Sequence, residues 1–262
     1  MAIPKKIHYF WFGHNPKPKL LEKCIKSWKK YCPDYEIIEW NEDNFDVTKN
    51  RYCKEAYEAK KWAFVTDYAR LAVLYEQGGI YFDTDVEVVK SLDPLLSEQC
   101  FMGIENSIYC IKVATGLALG SEAGFPLLNE IMDDYENIGF LKEDGSYDIT
   151  TCTERNTEIL KKHGYVEEDR IQKVAGATIY ASEYFSPMEM ETGLMYRTKN
   201  TYSIHHYSLS WTPKENQLHR EKYLRYNRWR NYVYGIKVLP NNILLKLLGE
   251  EKYEGMKRKL KG

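Results

Sequence analysis

The order of apolar and polar positions predicts an α/β protein whose first elements alternate between strands and helices. Short apolar and aromatic runs at residues 6–11 and 35–40 predict buried strands, and the amphipathic segment 20–31 between them predicts a helix. Two more helices are expected at residues 50–60 and 62–77. A strand–helix–strand opening is typical of a parallel sheet flanked by helices.

The next segment, residues 80–89, alternates acidic with apolar side chains and predicts a single strand with one acidic face. Gly78 and Gly79 are expected to end the preceding helix. Asp83 and Asp85 fall on the acidic face of this strand. Because residues at i and i+2 on a strand point to the same side, we expect their carboxylates to project together.

The second half of the chain has a weaker pattern. Strands are expected at residues 100–105, 114–119 and 177–181, a helix at 126–135, and a mobile polar loop at 139–148. With 262 residues, of which 44% are apolar, the chain is long enough for one α/β domain with a substantial core. A second full-sized domain would be a tight fit.

The composition argues against disulfide-rich, zinc-binding, membrane-spanning and nucleic-acid-binding proteins. The six cysteines lack both C-x-x-C pairs and zinc-type His/Cys spacing, so reduced thiols in a cytoplasmic protein are expected. The first residues lack the apolar segment of a signal peptide, and no run of about 18 apolar residues is present. A net charge of −1 argues against general nucleic-acid binding.

Charge is unevenly distributed along the chain. Residues 212–262 carry 13 Lys/Arg against 5 Asp/Glu. We therefore predict a catalytic domain at 1–216 and a basic helical extension at 217–262 packed on it, with helices at 219–234 and 241–260. Basic and aromatic side chains together also suit an anionic bilayer surface, so peripheral membrane contact is a second interpretation of the extension.

The triplet Asp83-Thr84-Asp85 carries the clearest chemistry. A divalent cation is a common means of neutralising a diphosphate leaving group, and Mg²⁺ and Mn²⁺ prefer carboxylate oxygens. The triplet also follows an apolar strand, and the carboxyl ends of strands are where open α/β sheets bind ligands. The sequence therefore predicts a metal–nucleotide site at this edge, although a bare D-x-D triplet is common by chance.

Two segments around this triplet resemble a known family. Residues 63–70 (AFVTDYAR) and 74–86 (LYEQGGIYFDTDV) resemble the D-x-D glycosyltransferases that include yeast-type initiating mannosyltransferases, α-galactosyltransferases and bacterial capsular-polysaccharide enzymes. The clostridial toxin glucosyltransferases look like distant relatives. The resemblance covers residues 3–96 well and 202–211 more loosely. It implies the GT-A type of fold, a single Rossmann-like domain with a mostly parallel central sheet, and retaining transfer chemistry.

The resemblance also implies roles for individual residues. Trp11 matches a tryptophan that stacks on uracil, Asp67 an aspartate that binds donor-sugar hydroxyls, and Arg70 an arginine beside the sugar and diphosphate. With Asp83 and Asp85, the Asp67–Arg70 pair forms the expected catalytic set. The alternatives are an ordinary core tryptophan at position 11 and a purely internal ion pair on the helix.

The late segment 202–211 is expected to complete the site. A neutral imidazole can add to a metal sphere begun by carboxylates, and by resemblance His205 rather than His206 is the third ligand beside the two aspartates. Adjacent strand residues face opposite ways, so only one of the two histidines can readily reach the metal. Ser210 and Trp211 are expected to donate hydrogen bonds to the donor phosphate. Two half-exposed histidines on an edge strand remain the alternative.

These observations predict a retaining, metal-dependent hexosyltransferase that uses Mn²⁺ or Mg²⁺. Its expected donor is a nucleoside-diphosphate sugar, most simply a UDP-sugar of galactose, glucose or mannose. Its expected acceptor is a glycan or lipid-linked oligosaccharide in surface or capsular polysaccharide synthesis at the cytoplasmic face of the membrane. The family's acceptor segment corresponds to residues 150–153, which lack its glycine and proline.

Two other classes of protein share single features of the sequence. A haloacid-dehalogenase-like phosphohydrolase also carries D-x-D, and Asp133 and Asp134 form a second acidic pair. In that class of protein the D-x-D follows the first strand, whereas in this sequence it follows a strand, three helices and another strand. A non-catalytic glycan-binding protein would account for 22 tyrosines and 6 tryptophans but not for the charged set around the triplet.

Overall fold

The computed structural model describes residues 2–107, 111–208, 212, 215–227 and 229. The chain forms two compact units, the first made of residues 1–191 and 195–211 and the second of residues 192–194 and 212–262. The first unit contains nine strands: β1 (Lys6–Phe10), β2 (Glu36–Trp40), β3 (Gly79–Tyr81), β4 (Val86–Val88), β5 (Cys100–Asn106), β6 (Ile111–Ser121), β7 (Gln172–Val174), β8 (Ala177–Tyr180) and β9 (Ser203–His205). Its helices are α1 (Lys19–Tyr31), α2 (Arg51–Glu58), α3 (Trp62–Gln77), α4 (Pro126–Glu136), α5 (Cys152–Lys162) and α6 (Ser182–Phe185).

Seven of the strands form one mixed sheet in the order β2-β1-β3-β6-β5-β8-β7. β1 pairs in parallel with both β2 and β3, and β5 pairs in parallel with β8. β6 and β7 pair antiparallel with their neighbours, so five of the seven strands run in one direction. The predicted α/β fold with a mostly parallel central sheet, the architecture implied by the GT-A resemblance, is confirmed.

Apolar side chains cover both faces of this sheet, as a central parallel sheet requires. Strand β5 illustrates the division: Cys100, Met102 and Ile104 pack in a first core together with residues of α3, whereas Phe101 packs in a second core. The second core also contains residues of α1, β4 and β9. The two faces are therefore covered by different elements, and the carboxyl ends of β1, β3 and β5 meet at one edge between them.

A neutral histidine links three of the central elements. His8 on β1 is fully buried; its Nε2 lies 2.9 Å from the Gly78 carbonyl oxygen, and its Nδ1 accepts a 3.0 Å hydrogen bond from the Trp40 indole. Burial lowers the pKa of His8 to about 4. With Nε2 carrying the hydrogen, both ring nitrogens are satisfied in the neutral form, which ties β1 to the end of α3 and to β2.

The expectation of one strand over residues 80–89 is wrong. β3 ends at Tyr81 in the central sheet, and β4 begins at Val86 in a separate two-stranded sheet with β9. Between them the chain turns, closed by a 3.1 Å hydrogen bond from the Val86 N–H to the Asp83 carbonyl oxygen. The apolar alternation continues through the turn because Phe82 and Val86 are both buried in the second core. A periodic pattern alone therefore cannot show that the chain passes from one sheet to another.

Most other predicted elements are present. The expected helices at 20–31, 50–60, 62–77 and 126–135 correspond to α1–α4, and the expected strands at 100–105, 114–119 and 177–181 to β5, β6 and β8. The sequence did not predict α5, β7 or α6. Residues 139–148 form no helix and are joined by a bridge between Leu141 and Tyr147.

In the second unit, residues 215–227 are helical. The remainder of the predicted helices at 219–234 and 241–260 lies outside the described residues, and the division of the chain at residue 216 stays a prediction. Within the described part of the chain, no helix combines the length and hydropathy needed to cross a bilayer.

Candidate active site

The predicted acidic pair lies in the turn between β3 and β4, at the carboxyl edge of the central sheet. Asp83 is held from behind by a 3.0 Å hydrogen bond from its backbone N–H to the carbonyl oxygen of Gly116 on β6. Asp85 lies two residues on, and its backbone carbonyl accepts a 3.0 Å hydrogen bond from the His206 N–H. The two carboxylates therefore come from a backbone turn, not from one face of a strand.

Asp85 is nearly fully buried and bonds to the late segment of the chain. Its Oδ1 lies 2.9 Å from Nε2 of His205, and its Oδ2 accepts a 2.7 Å hydrogen bond from the Ser208 N–H. Burial works against the charge of Asp85, but the His205 charge and these hydrogen bonds hold its pKa well below the usual range. The same contacts, opposed by burial, raise the pKa of His205 to about 9.

The Asp83 side chain is about 30% exposed and lies beside Arg70 of α3. Its Oδ1 accepts a 2.6 Å hydrogen bond from the Tyr81 hydroxyl and lies 3.6 Å from Nη1 of Arg70. Nη1 is buried and has no hydrogen-bond partner among the described residues. A buried cationic nitrogen without a hydrogen-bond partner, 3.6 Å from a partly exposed carboxylate, would stabilise a further anionic group placed next to it.

Three side chains converge as a candidate metal site. One ligand atom each from Asp83, Asp85 and His205 lies within 4.8 Å of the other two. Carboxylate oxygens with one imidazole nitrogen suit Mn²⁺, and the oxygens alone suit Mg²⁺. The three donor groups fit a divalent cation, and the roles of Asp83, Asp85 and His205 as its ligands stay a prediction.

His206 is directed elsewhere. Its Nε2 lies 2.8 Å from Oε2 of Glu87, which also accepts a 2.6 Å hydrogen bond from Lys23. The structure therefore distinguishes the two adjacent histidines in the way that strand alternation predicted. Ser210 and Trp211, the predicted phosphate donors of the same segment, lie outside the described residues.

Asp67 and Arg70 form a buried ion pair on one face of α3. Arg70 Nη2 donates a 2.7 Å hydrogen bond to Asp67 Oδ1, and Arg70 Nε donates to the Thr66 carbonyl oxygen at 2.8 Å. The guanidinium also lies over the Tyr81 ring, 4.8 Å from its centroid. Arg70 is thus oriented by three groups, and through it Asp67 and Asp83 belong to one connected network.

The Asp67 carboxyl is strongly affected by its surroundings. Burial raises its pKa to about 6, although the Arg70 charge opposes the shift. The thiol of Cys152, the first residue of α5, lowers the pKa of this carboxyl and so acts against the effect of burial. Cys152 belongs to the segment 150–153 that the resemblance related to the acceptor, and Thr151 caps α5 by accepting from the Glu154 N–H.

Trp11 follows β1 directly, at the same edge of the sheet as the acidic turn. Its indole N–H donates a 2.7 Å hydrogen bond to the Asn15 carbonyl oxygen, and the ring is half-buried against the second core. It is less buried than Trp28, which is fully enclosed. Its role in nucleobase stacking stays a prediction.

Gly116 is a site residue that sequence reasoning missed. β6 shifts register against β5 between the pairs Met102↔Leu119 and Gly103↔Ala114, so residues 115–118 are unpaired with that strand. A Cβ atom on Gly116 would lie 2.2 Å from Oδ2 of Asp83 and 3.0 Å from Nη1 of Arg70. An isolated glycine inside a strand pattern is a recognised sign of close approach, and this signal was available in the sequence.

Comparison with known proteins identifies the segment that carries this site. Residues 18–102 match the family model described as a glycosyltransferase sugar-binding region containing DXD motif. Inositol phosphoceramide mannosyltransferase 3 of Schizosaccharomyces pombe is 29% identical over 149 residues, which are 53% of this chain but only 39% of the yeast protein. An uncharacterized glycosyltransferase of Acanthamoeba polyphaga mimivirus is 26% identical over 223 residues, which are 80% of this chain and 84% of the viral protein.

Among solved structures, the PaToxG glycosyltransferase is 19% identical and has a TM-score of 0.46, covering 62% of this chain and 70% of that one. The matched family segment contains Asp67, Arg70, Asp83 and Asp85. Residues 18–102 are therefore similar to the DXD-containing sugar-binding region of glycosyltransferases, and this match confirms the resemblance found in the sequence.

Proposed function

We propose that the protein is a metal-dependent glycosyltransferase that moves a sugar from a nucleoside-diphosphate donor to a hydroxyl group of a glycan. The observation that carries this proposal is the convergence of Asp83, Asp85 and His205 next to the buried Asp67–Arg70 pair. Four of these five residues lie within the matched sugar-binding region. A site of this kind has both a position for a cation and a separate polar wall for a sugar.

The cation would be Mn²⁺ or Mg²⁺, held by Asp83, Asp85 and His205. When bound, a divalent cation neutralises the negative charge that develops on a departing diphosphate. Asp85 orients His205 through its 2.9 Å contact, and the Ser208 N–H fixes the second carboxylate oxygen. The protein thus presents its ligands already oriented, which lowers the reorganisation needed during the reaction.

Arg70 and Asp67 would hold the donor sugar and its diphosphate. The Nη1 of Arg70 lies 3.6 Å from Asp83 and has no hydrogen-bond partner among the described residues, so a phosphate oxygen placed there can accept its hydrogen bond. Asp67 keeps one carboxylate oxygen on Arg70, and sugar hydroxyls are suitable donors to the other. The stereochemistry of this transfer is proposed to be retaining, on the family resemblance alone.

Trp11 would stack on the nucleobase, which we propose to be uracil. The transferred hexose is proposed to be galactose, glucose or mannose. The name of the Schizosaccharomyces pombe relative, a mannosyltransferase, favours mannose among the three. Its substrate, inositol phosphoceramide, is a lipid, which supports a lipid-linked acceptor for this chain as well.

A lipid-linked acceptor gives the basic C-terminal segment a function. We propose that residues 217–262 hold the enzyme at the cytoplasmic face of an anionic membrane, where it contributes to surface or capsular polysaccharide synthesis. Each Lys or Arg near such a surface contributes about 1 kcal/mol. Sedimentation with phosphatidylglycerol vesicles should show binding that weakens from low to high salt. Equal binding to uncharged phosphatidylcholine vesicles, or none, would contradict the membrane role.

The activity itself is tested with a panel of UDP- and GDP-sugars. Release of nucleotide from at least one of them should require Mn²⁺ or Mg²⁺ and should stop with a chelator. A phosphohydrolase would instead release phosphate from simple phosphomonoesters. A non-catalytic glycan-binding protein would give no nucleotide release and no binding of UDP with Mn²⁺ in calorimetry.

A further inference from the structure

The part of β6 that contacts Asp83 lies in the register shift between β6 and β5. Residues 115–118 fall between the paired positions Ala114 and Leu119. The Gly116 carbonyl oxygen accepts a 3.0 Å hydrogen bond from the Asp83 N–H, and a Cβ added at Gly116 would lie 2.2 Å from Asp83 Oδ2. The backbone position of Gly116 therefore determines where both the main chain and the carboxylate of Asp83 can lie.

A side chain of α5 holds this irregular part of β6. Asn156 Nδ2 donates a 3.1 Å hydrogen bond to Oγ1 of Thr115, the residue that precedes Gly116. Asn156 and Thr115 are each 1% exposed, so the hydrogen bond is shielded from water. The helix itself is anchored by Ile159 and Leu160, which are buried in the first core. The Asn156 amide thus connects a helix fixed in the core with the register shift of β6.

A second hydrogen bond joins the same two elements outside the register shift. Thr157 Oγ1 accepts a 2.9 Å hydrogen bond from the Val113 N–H. Val113 pairs with Ile104 of β5 and so lies in a regular part of the ladder. Thr157 and Val113 are both fully buried. The two hydrogen bonds are therefore similarly buried, but the bond from Asn156 reaches the residue next to Gly116 and the bond to Thr157 does not.

The Asn156 amide is placed at an energetic cost. Its Oδ1 is buried and has no hydrogen-bond partner among the described residues. A buried polar atom without a partner destabilises the folded state, whereas a leucine of similar size would avoid this loss. Packing alone therefore does not account for an asparagine at this position. Its hydrogen bond to Thr115 is a contact that a leucine could not make.

We propose that Asn156 is a positioning residue for the candidate metal site, and that it fixes the position of Asp83 through Thr115 and Gly116. This inference rests on the metal-dependent transfer proposed above. A metal ligand must be held within about 0.5 Å of its productive position. At the register shift the β5–β6 ladder does not fix Gly116, and the Asn156–Thr115 hydrogen bond supplies this constraint from α5. Asp83 is then oriented before a cation binds, which keeps the affinity for the cation high.

The test compares two isosteric substitutions of buried threonines in the whole chain. Thr115→Val removes the hydroxyl that accepts from Asn156. The matched control, Thr157→Val, removes the hydroxyl that accepts from the Val113 N–H. Each variant leaves one buried donor unpaired between α5 and β6, so both should melt earlier than the wild type. Thr115→Ser keeps the hydroxyl, and Asn156→Leu removes the amide on the other side of the contact.

Two measurements report on Asp83 itself. Amide hydrogen exchange of the metal-free protein follows the Asp83 N–H, which is bonded to Gly116. Calorimetry with and without UDP gives the dissociation constant of Mn²⁺. We expect Thr115→Val and Asn156→Leu to exchange the Asp83 N–H about tenfold faster and to bind Mn²⁺ about tenfold more weakly. Thr115→Ser and the control Thr157→Val should match the wild type in both measurements.

A wild-type value of either quantity in Thr115→Val overturns the positioning role. Equal changes in Thr115→Val and Thr157→Val also overturn it, because α5 would then support the fold as a whole. If Asn156→Leu does not fold, the threonine variants still decide the question. A wild-type protein that binds no Mn²⁺, with or without UDP, overturns the proposed function instead, and that result is obtained before any variant is made.

Discussion

His205 and Asp85 are joined by a 2.9 Å contact between Nε2 and Oδ1 across 120 positions of sequence. The contact keeps an imidazole nitrogen and a carboxylate oxygen close enough to bind one divalent cation together with Asp83. Replacing either residue should therefore change metal binding more than it changes the fold.

Asp85→Asn should lower metal-dependent nucleotide release by more than about 100-fold, because the amide gives the cation no anionic ligand. The fold should persist, since the amide oxygen can still accept from the Ser208 N–H. Donor turnover and Mn²⁺ titration measure the effect, with Asp133→Asn, an exposed position of α4, as the control. Turnover near the wild-type value would disprove a metal role for the acidic turn.

Gly116→Ala should reduce donor turnover about 100-fold, because the new methyl group displaces Asp83 or Arg70, and displacements of about 1 Å can have this effect. Gly139→Ala is the control: there a Cβ meets only the ends of the flexible Arg51 and Glu55 side chains. Turnover and thermal melting are measured for both. If Gly116→Ala loses stability but keeps turnover, the close approach serves packing alone.

Trp11→Ala should raise the donor dissociation constant by about 10- to 100-fold, as expected from losing a stacking energy of about 1–3 kcal/mol. Calorimetry with UDP and Mn²⁺ measures it. Trp28→Phe serves as comparison, because Trp28 is fully buried and donates its indole N–H to the Val86 carbonyl oxygen. That variant should melt earlier and bind nucleotide normally. The opposite pattern would assign Trp11 to the core.

His8 should make stability sensitive to acid. Its pKa is about 4 in the folded protein against about 6.5 when unfolded, so the unfolded chain binds more protons between these values. Its contribution is full above pH 6.5 and is lost as the pH falls toward 4. Between pH 7 and 5 the loss is on the order of 2 kcal/mol. Urea unfolding at both pH values should show a smaller loss for His8→Gln than for the wild type.

The opening of the fold was predictable because its signals are local. Alternation, helix spacing and the glycines after α3 all act within a few residues, and α1–α4 and the early strands were found from them. The position of Asp83 and Asp85 at the carboxyl end of an apolar strand was predicted correctly, but the backbone conformation expected there was wrong. A continuous strand was expected, whereas the chain leaves one sheet at Tyr81 and enters another at Val86.

The missed part of the site depends on a contact between distant segments. An isolated glycine inside a strand pattern was a local sign of close approach at Gly116, but the approaching side chain, Asp83, is determined by the register change of β6 and not by neighbouring residues. His205 was preferred to His206 by resemblance. The pairing of β4 with β9 directs His205 toward Asp85 and His206 toward Glu87, but the role of His205 as a metal ligand stays a prediction.

The small sheet of β4 and β9 also links the candidate metal site to the stability of the folded protein. The acidic turn ends at residue 85, but His205 contacts it only when β9, 120 positions later in the sequence, pairs with β4. A cation bound there would bind the native state alone, and at one hundred times its dissociation constant it would add about 2.7 kcal/mol to stability. Such an ion would link β9 to the acidic turn in addition to the hydrogen bonds of the two-stranded sheet. Removing it with a chelator should therefore unfold the segment around β9 before the central sheet is affected.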